Sequence, residues 1–136
     1  MRGDDLKKIL FWTYAILIAL LIVFKAFDSP LERIEALKEL RRRGVDNVNL
    51  RPLYTIKMCL ENIRTEWALR NLAGNTLPFF FLGALSKNTW DSNNFTFYIV
   101  SSVIITLEIL QYVLFLGTCD IDDVILNVTF LKIGFL

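Results

Sequence analysis

The chain has 136 residues, enough for one domain, with 54% hydrophobic and 13% aromatic residues, a mean hydropathy of +0.47 and a net charge of +1. Basic residues set beside acids, with no nucleic-acid-binding motif, argue against nucleic acid as a partner. The lack of any histidine removes Ser-His-Asp and Cys-His catalysis, imidazole relays and His-ligated metal sites.

Apolar residues are clustered rather than spread at core periodicity, so the chain reads as a small all-α polytopic membrane protein, one domain over residues 1–136. Residues 9–27 predict the first transmembrane helix. Ile9 to Phe24 is apolar apart from Thr13, Lys7 and Lys8 precede it, and Lys25 can snorkel at its end. As a helix, such a stretch covers about 30 Å, one bilayer core. A signal peptide also begins with charge followed by apolar residues, but no small-x-small cleavage site follows here, which favours an anchored helix.

An amphipathic helix is expected in the first loop, over residues 30–44. Ser29 can cap it, Pro30 suits the first helical position, Glu32 completes a capping box and Gly44 stops it. Leu31, Ile34, Leu37 and Leu40 form its apolar stripe, with Glu35, Lys38, Glu39 and Arg41 to Arg43 on the other faces. Such a helix can lie on lipid headgroups with its arginines near phosphates, or be solvated and laced with ion pairs. Pro52 makes residues 47–56 a loop. Helical character resumes from Lys57 to Arg70, where Trp67 between Arg64 and Arg70 suits an interface belt.

The second span is expected over residues 71–86. Asn71 and Asn75 are four apart and share a face, Gly74 and Gly83 permit close helix approach, and Pro78 invites a kink. The third covers residues 95–116 and places Glu108 and Gln111, three apart, on one face inside apolar sequence. A carboxylate in hydrocarbon costs roughly 2.5–3.5 kcal/mol on insertion scales, so that face should point into the bundle. After a turn at Gly117, Thr118 and Cys119, a fourth segment over residues 120–136 carries Asp120, Asp123 and Asn127 at i, i+3 and i+7, with Asp122 pointing elsewhere. Acids there also suit a helix N-terminus. The segment spans only roughly 20 Å as a helix, so it should end within the membrane or represent a truncated fourth helix. Cys59 and Cys119 have no metal-ligand spacing and read as buried small hydrophobes.

These residues carry a resemblance. Asn71-Leu72-Ala73-Gly74-Asn75 followed by Pro78-Phe79-Phe80-Phe81-Leu82-Gly83 resembles the second helix of the VanZ-like family. Glu108-Ile109-Leu110-Gln111 resembles its third-helix E-x-x-Q, and the run from Asp120 to Asn127 its D-I-x-D-x-x-x-N signature. The stretch from Asn49 to Ile56 is similar to its N-L-x-P-F-x-T-I loop, with Leu53 in place of the usual Phe. The pieces occur in the family's order and spacing. The resemblance implies a multi-pass protein of the bacterial plasma membrane, related to a founding member that confers low-level resistance to teicoplanin. No catalytic residues are assigned in that family. This chain departs from the pattern after Asn127, where Val128 to Lys132 replace a Gly-rich helix. The family pattern puts the N-terminus inside, whereas the basic residues of the first loop, counted alone, would put that loop inside.

The expectation for function is a polar pocket near one membrane face, with Asn71, Asn75, Glu108, Gln111, Asp120, Asp123 and Asn127 converging and Asn49, Arg51 and Asp122 secondary to it. A short turn makes the last two helices antiparallel neighbours. Glu108 then lies roughly 13 Å deep, opposite Asn127, with Gln111 beside Asp123 or Val124. Partners would be membrane lipids and a lipid-linked cell-wall precursor or lipoglycopeptide. No cofactor is expected, and Asp120 and Asp123 are at most weak metal candidates. Three classes compete: a binding pocket for an amphiphile, a metal-dependent lipid-phosphate enzyme, and an assembly scaffold. The first is preferred, because intramembrane polar residues usually mark a binding site or path. The enzyme is disfavoured because no nucleophile, base pair or phosphate-binding motif accompanies the acids.

Overall fold

The structure is a computed structural model that describes residues 3–23, 30–90 and 94–136. It is all-helical apart from one pair of two-residue strands. In chain order the elements are α1 (Gly3–Val23), α2 (Pro30–Arg42), β1 (Val48–Asn49), α3 (Tyr54–Glu61), α4 (Glu66–Thr89), α5 (Asn94–Val113), β2 (Cys119–Asp120) and α6 (Ile121–Phe135). The expected snorkelling Lys25 and capping Ser29 lie outside the described residues.

Helix bounds differ from the sequence expectation in ways that have local causes. Helix α4 starts five residues earlier than the apolar run, because Thr65 caps it, accepting from the Ala68 N–H at 3.3 Å. It runs unbroken through Pro78. The helical character expected from Lys57 onward is split at Asn62, so α3 and α4 are separate. Helix α5 ends at Val113 in a Schellman-type closure: the Leu116 N–H reaches the Gln111 carbonyl at 2.9 Å and the Phe115 N–H the Tyr112 carbonyl at 3.3 Å. Phe115 takes the left-handed position there, at φ 58°.

Helices α4 and α6 form the most extensive contact, with α1 packed on α4 and α5, and α5 on α6. Two glycines allow the closest approach. A Cβ on Gly83 would overlap the Leu131 carbonyl oxygen, and one on Gly134 the Phe80 carbonyl oxygen. The apolar core is Phe11, Ile18, Phe79, Leu82, Ile104 and Leu131. At the end of the bundle where α4 finishes, the Lys87 ammonium donates to the Leu136 carbonyl.

Outside, the polarity is reversed. Ile9, Leu10, Trp12, Ile16, Leu17 and Leu20 of α1 are exposed, as are Ile99, Val103, Ile109 and Val113 of α5. Inside, Asn75, Glu108, Gln111, Asp122, Asp123 and Asn127 are buried. Large exposed apolar faces and buried polar groups are the two informative departures from soluble-protein statistics. Among the described residues one helix, Asn94–Val113, is long and apolar enough to cross a membrane.

Arg41 of helix α2 docks on the end of α5. The Arg41 guanidinium lies over the Tyr112 and Phe115 rings, 4.2 and 4.3 Å from their centroids, and donates to the Tyr112 carbonyl at 3.4 Å. It therefore covers the C-terminal end of α5, where a cation meets the negative end of the helix dipole. Arg42 and Arg43 remain exposed and pair with Glu39.

Candidate functional site

The polar residues singled out in the sequence fall into two tiers. The first is a clasp that ties the 47–56 loop to the start of α6. Strands β1 and β2 pair in parallel, with Val48 opposite Cys119 and Asn49 opposite Asp120. The register is closed by the Cys119 N–H on the Asn47 carbonyl at 3.0 Å. Asp120 caps α6, its Oδ1 accepting from the Asp122 N–H at 2.9 Å. The same carboxylate accepts from Asn49 Nδ2 at 3.2 Å and from the Thr55 hydroxyl at 2.6 Å. Asn49 also donates to the Thr55 hydroxyl oxygen at 3.0 Å, and its own oxygen takes the Arg51 N–H at 3.1 Å. The Arg51 residue itself is exposed.

Asp122 completes the clasp from an unexpected direction. It is fully buried, and it accepts three backbone N–H groups: Leu53 at 2.5 Å, Thr55 at 2.7 Å and Ile56 at 3.1 Å. These belong to the N-terminal turn of α3, whose own capping position, Leu53, has no side-chain cap and a left-handed φ of 65°. A helix start leaves four N–H groups without intrahelical partners. Here a carboxylate 69 residues away in sequence from Leu53 supplies the acceptor. The expected face of Asp120, Asp123 and Asn127 is thus divided: Asp120 and Asp122 both reach this loop, while Asp123 bonds Asn75 and Asn127 bonds Glu108.

The second tier lies deeper, between α4, α5 and α6. Asn75 Nδ2 donates to the Asn71 oxygen at 2.8 Å and to Asp123 Oδ1. Asn127 Nδ2 donates to Glu108 Oε1 at 2.9 Å, so the structure has the cross-helix pair that antiparallel packing requires. Asn75 is 2%, Glu108 1% and Asn127 0% exposed, so these polar contacts are made out of water. The Asn127 oxygen is buried with no hydrogen-bond partner. Gln111 is buried against Gly117, where an added Cβ would meet its side chain at 3.1 Å.

Of the seven residues expected to converge, Asp120 thus sits in the clasp, while Asn71, Asn75, Asp123, Glu108 and Asn127 make the deeper tier and Gln111 lies at the α5 turn. The weak metal candidates Asp120 and Asp123 are bonded in different tiers. Among the described residues no group of three or more carboxylate or thiol side chains is placed to hold a metal ion.

Residues outside the expected set also take part. Thr55 bridges Asn49 and Asp120, and its signal lay in a capping-type residue beside a proline-broken loop. Both cysteines border the acids. Burial pushes the Cys59 thiol pKa up, and the negative charges of Asp123, Asp120 and Asp122 push it further. Cys119 is raised by burial and then by Glu108, Asp120 and Asp123. Cys59 is buried, as expected of a small hydrophobe, whereas Cys119 is only partly buried.

Comparison with known proteins bears on the whole arrangement. The model of the family described as VanZ/LLP1 matches residues 11–136. No curated protein and no solved structure matches the chain.

Proposed function

This chain belongs to the VanZ/LLP1 family, and from that premise we propose that it is a multi-pass protein of the bacterial plasma membrane that modulates resistance to glycopeptides and lipoglycopeptides such as teicoplanin. In this reading α1, α4 and α5 span the bilayer and α6 enters it as a shorter fourth helix. The exposed apolar faces of α1 and α5 support that placement. The deeper polar tier binds an amphiphile, a lipid-linked cell-wall precursor or the antibiotic itself, and alters its access to the cell surface.

One observation carries the reading: the Glu108–Asn127 pair, fully buried between two helices of apolar sequence and containing an amide oxygen without a donor. Helix pairing alone is achieved at lower cost by Ser, Thr or small residues. The clasp is the structural part, because its carboxylates are filled by donors from its own loop.

The test is teicoplanin susceptibility in cells making equal amounts of wild type, Glu108→Gln and Asp123→Asn. A binding tier loses resistance in graded fashion, with protein levels intact. An enzyme would lose everything from one change, and a scaffold would lose expression instead; either result overturns the binding reading.

A further inference from the structure

Resting on the binding reading above, we infer that the deeper tier takes a ligand group that donates hydrogen bonds, an ammonium or a hydroxyl-bearing head group, and rejects phosphate. The inference begins with charge. Between Arg70 and Lys132 the sequence contains Asp91, Glu108, Asp120, Asp122 and Asp123, but Lys87 is the only basic residue there. The Lys87 ammonium is engaged with the Leu136 carbonyl at the far end of α4. Arg41, the arginine that docks on α5, is stacked over Tyr112 and Phe115 and bonded to a carbonyl beyond the tier. An anion entering beside Glu108 and Asp123 would therefore meet two carboxyl groups and find no basic residue of this stretch free to pair with it.

Hydrogen-bond inventory points the same way. In the deeper tier the amide groups of Asn75 and Asn127 give their N–H groups to carboxylates. The Asn127 oxygen, on the same side chain that holds Glu108, accepts nothing although the residue is wholly buried. A buried acceptor without a donor has lost its water and gained nothing in return. A ligand N–H or O–H relieves that cost, and a doubly ionised phosphate, which carries no O–H, does not. Recognition of this kind discriminates strongly, because a site built around buried polar groups rejects the analogue that leaves them unpaired.

The probes are hexylammonium, hexyl β-glucoside and hexyl phosphate, which share one tail and differ in the head group. Each is titrated calorimetrically into the full chain held in phosphatidylcholine nanodiscs. Hexylammonium and hexyl glucoside should bind at least about tenfold more tightly than hexyl phosphate. Asn127→Leu, which removes the acceptor, should weaken both by about tenfold, while Asn127→Asp, which keeps acceptor oxygens, should retain hexylammonium. Circular dichroism confirms that each variant is folded; should the Leu variant fail to fold, the Asp variant carries the test. Preference for hexyl phosphate, or loss of hexylammonium binding in folded Asn127→Asp, overturns the head-group assignment and leaves the binding reading standing. Failure of all three probes to bind the wild type overturns both.

Discussion

Replacing Asp122 with Ala tests whether the clasp is structural. The substitution removes the acceptor for three N–H groups at the start of α3, at 2.5, 2.7 and 3.1 Å. A hydrogen bond to a charged group contributes about 1.5–3 kcal/mol, and a buried donor left unpaired costs about 1–3 kcal/mol. Leu53 is 60% exposed, so water can replace its bond. Thr55 and Ile56 are half-buried and recover less. The net expectation is a loss of about 3–5 kcal/mol, at the upper end for a single substitution. Asp122→Asn should lose about half as much, since one oxygen remains while the new amide faces an N–H. Unfolding by SDS in mixed micelles, followed by circular dichroism, gives the stability. Hydrogen exchange at Leu53, Thr55 and Ile56 shows whether the loss is local. An Ala variant within about 1 kcal/mol of wild type, with those three amides protected as before, would show that the carboxylate does not hold the loop.

Gly134→Ala should destabilise by about 2 kcal/mol or more, because its Cβ meets the rigid Phe80 carbonyl. Gly74→Ala, with nothing within 4 Å, should be neutral or stabilising by up to about 1 kcal/mol in the same unfolding assay. Arg41→Ala should release α2 at a cost of about 1–2 kcal/mol and expose it to limited proteolysis. Arg42→Ala, an exposed partner of Glu39, should change stability by less than about 0.5 kcal/mol. The raised thiol pKa of Cys59 has a definite sign: its contribution is fully present below the ordinary value of 9.0 and falls as pH rises through the higher folded value. Stability of the wild type should therefore decline above pH 9 more steeply than that of Cys59→Ala, and equal slopes would remove the effect.

Much of this arrangement was legible along the chain because it depends on local spacing. Apolar runs identify α1, α4 and α5, and an i, i+3 spacing puts Glu108 with Gln111 on an inward face; the i, i+3 and i+7 offsets grouped Asp120 with Asp123 and Asn127, and the fold separates Asp120 from the other two. A short turn between α5 and α6 makes them antiparallel, which sets Glu108 opposite Asn127. Helix ends were less legible, since α4 gains its first turn from the Thr65 cap rather than from apolar periodicity. Arg41 was legible only as one charge of an amphipathic helix and Thr55 only as part of the Asn49–Ile56 loop pattern, and both act over long sequence distances.

The order of residues alone determined an all-helical chain, the faces on which its acids and amides sit, and its family. Those properties follow from backbone geometry, which repeats every few residues and needs no knowledge of distant segments. Tertiary structure decided how the carboxylates divide. Asp120 and Asp122 are spent on a loop roughly seventy positions earlier, and Asp123 and Glu108 pair with amides inside the bundle. The reason is that an acid's role is set by which donors reach it, and for Asp120 and Asp122 most of those donors come from elements that only the fold brings near.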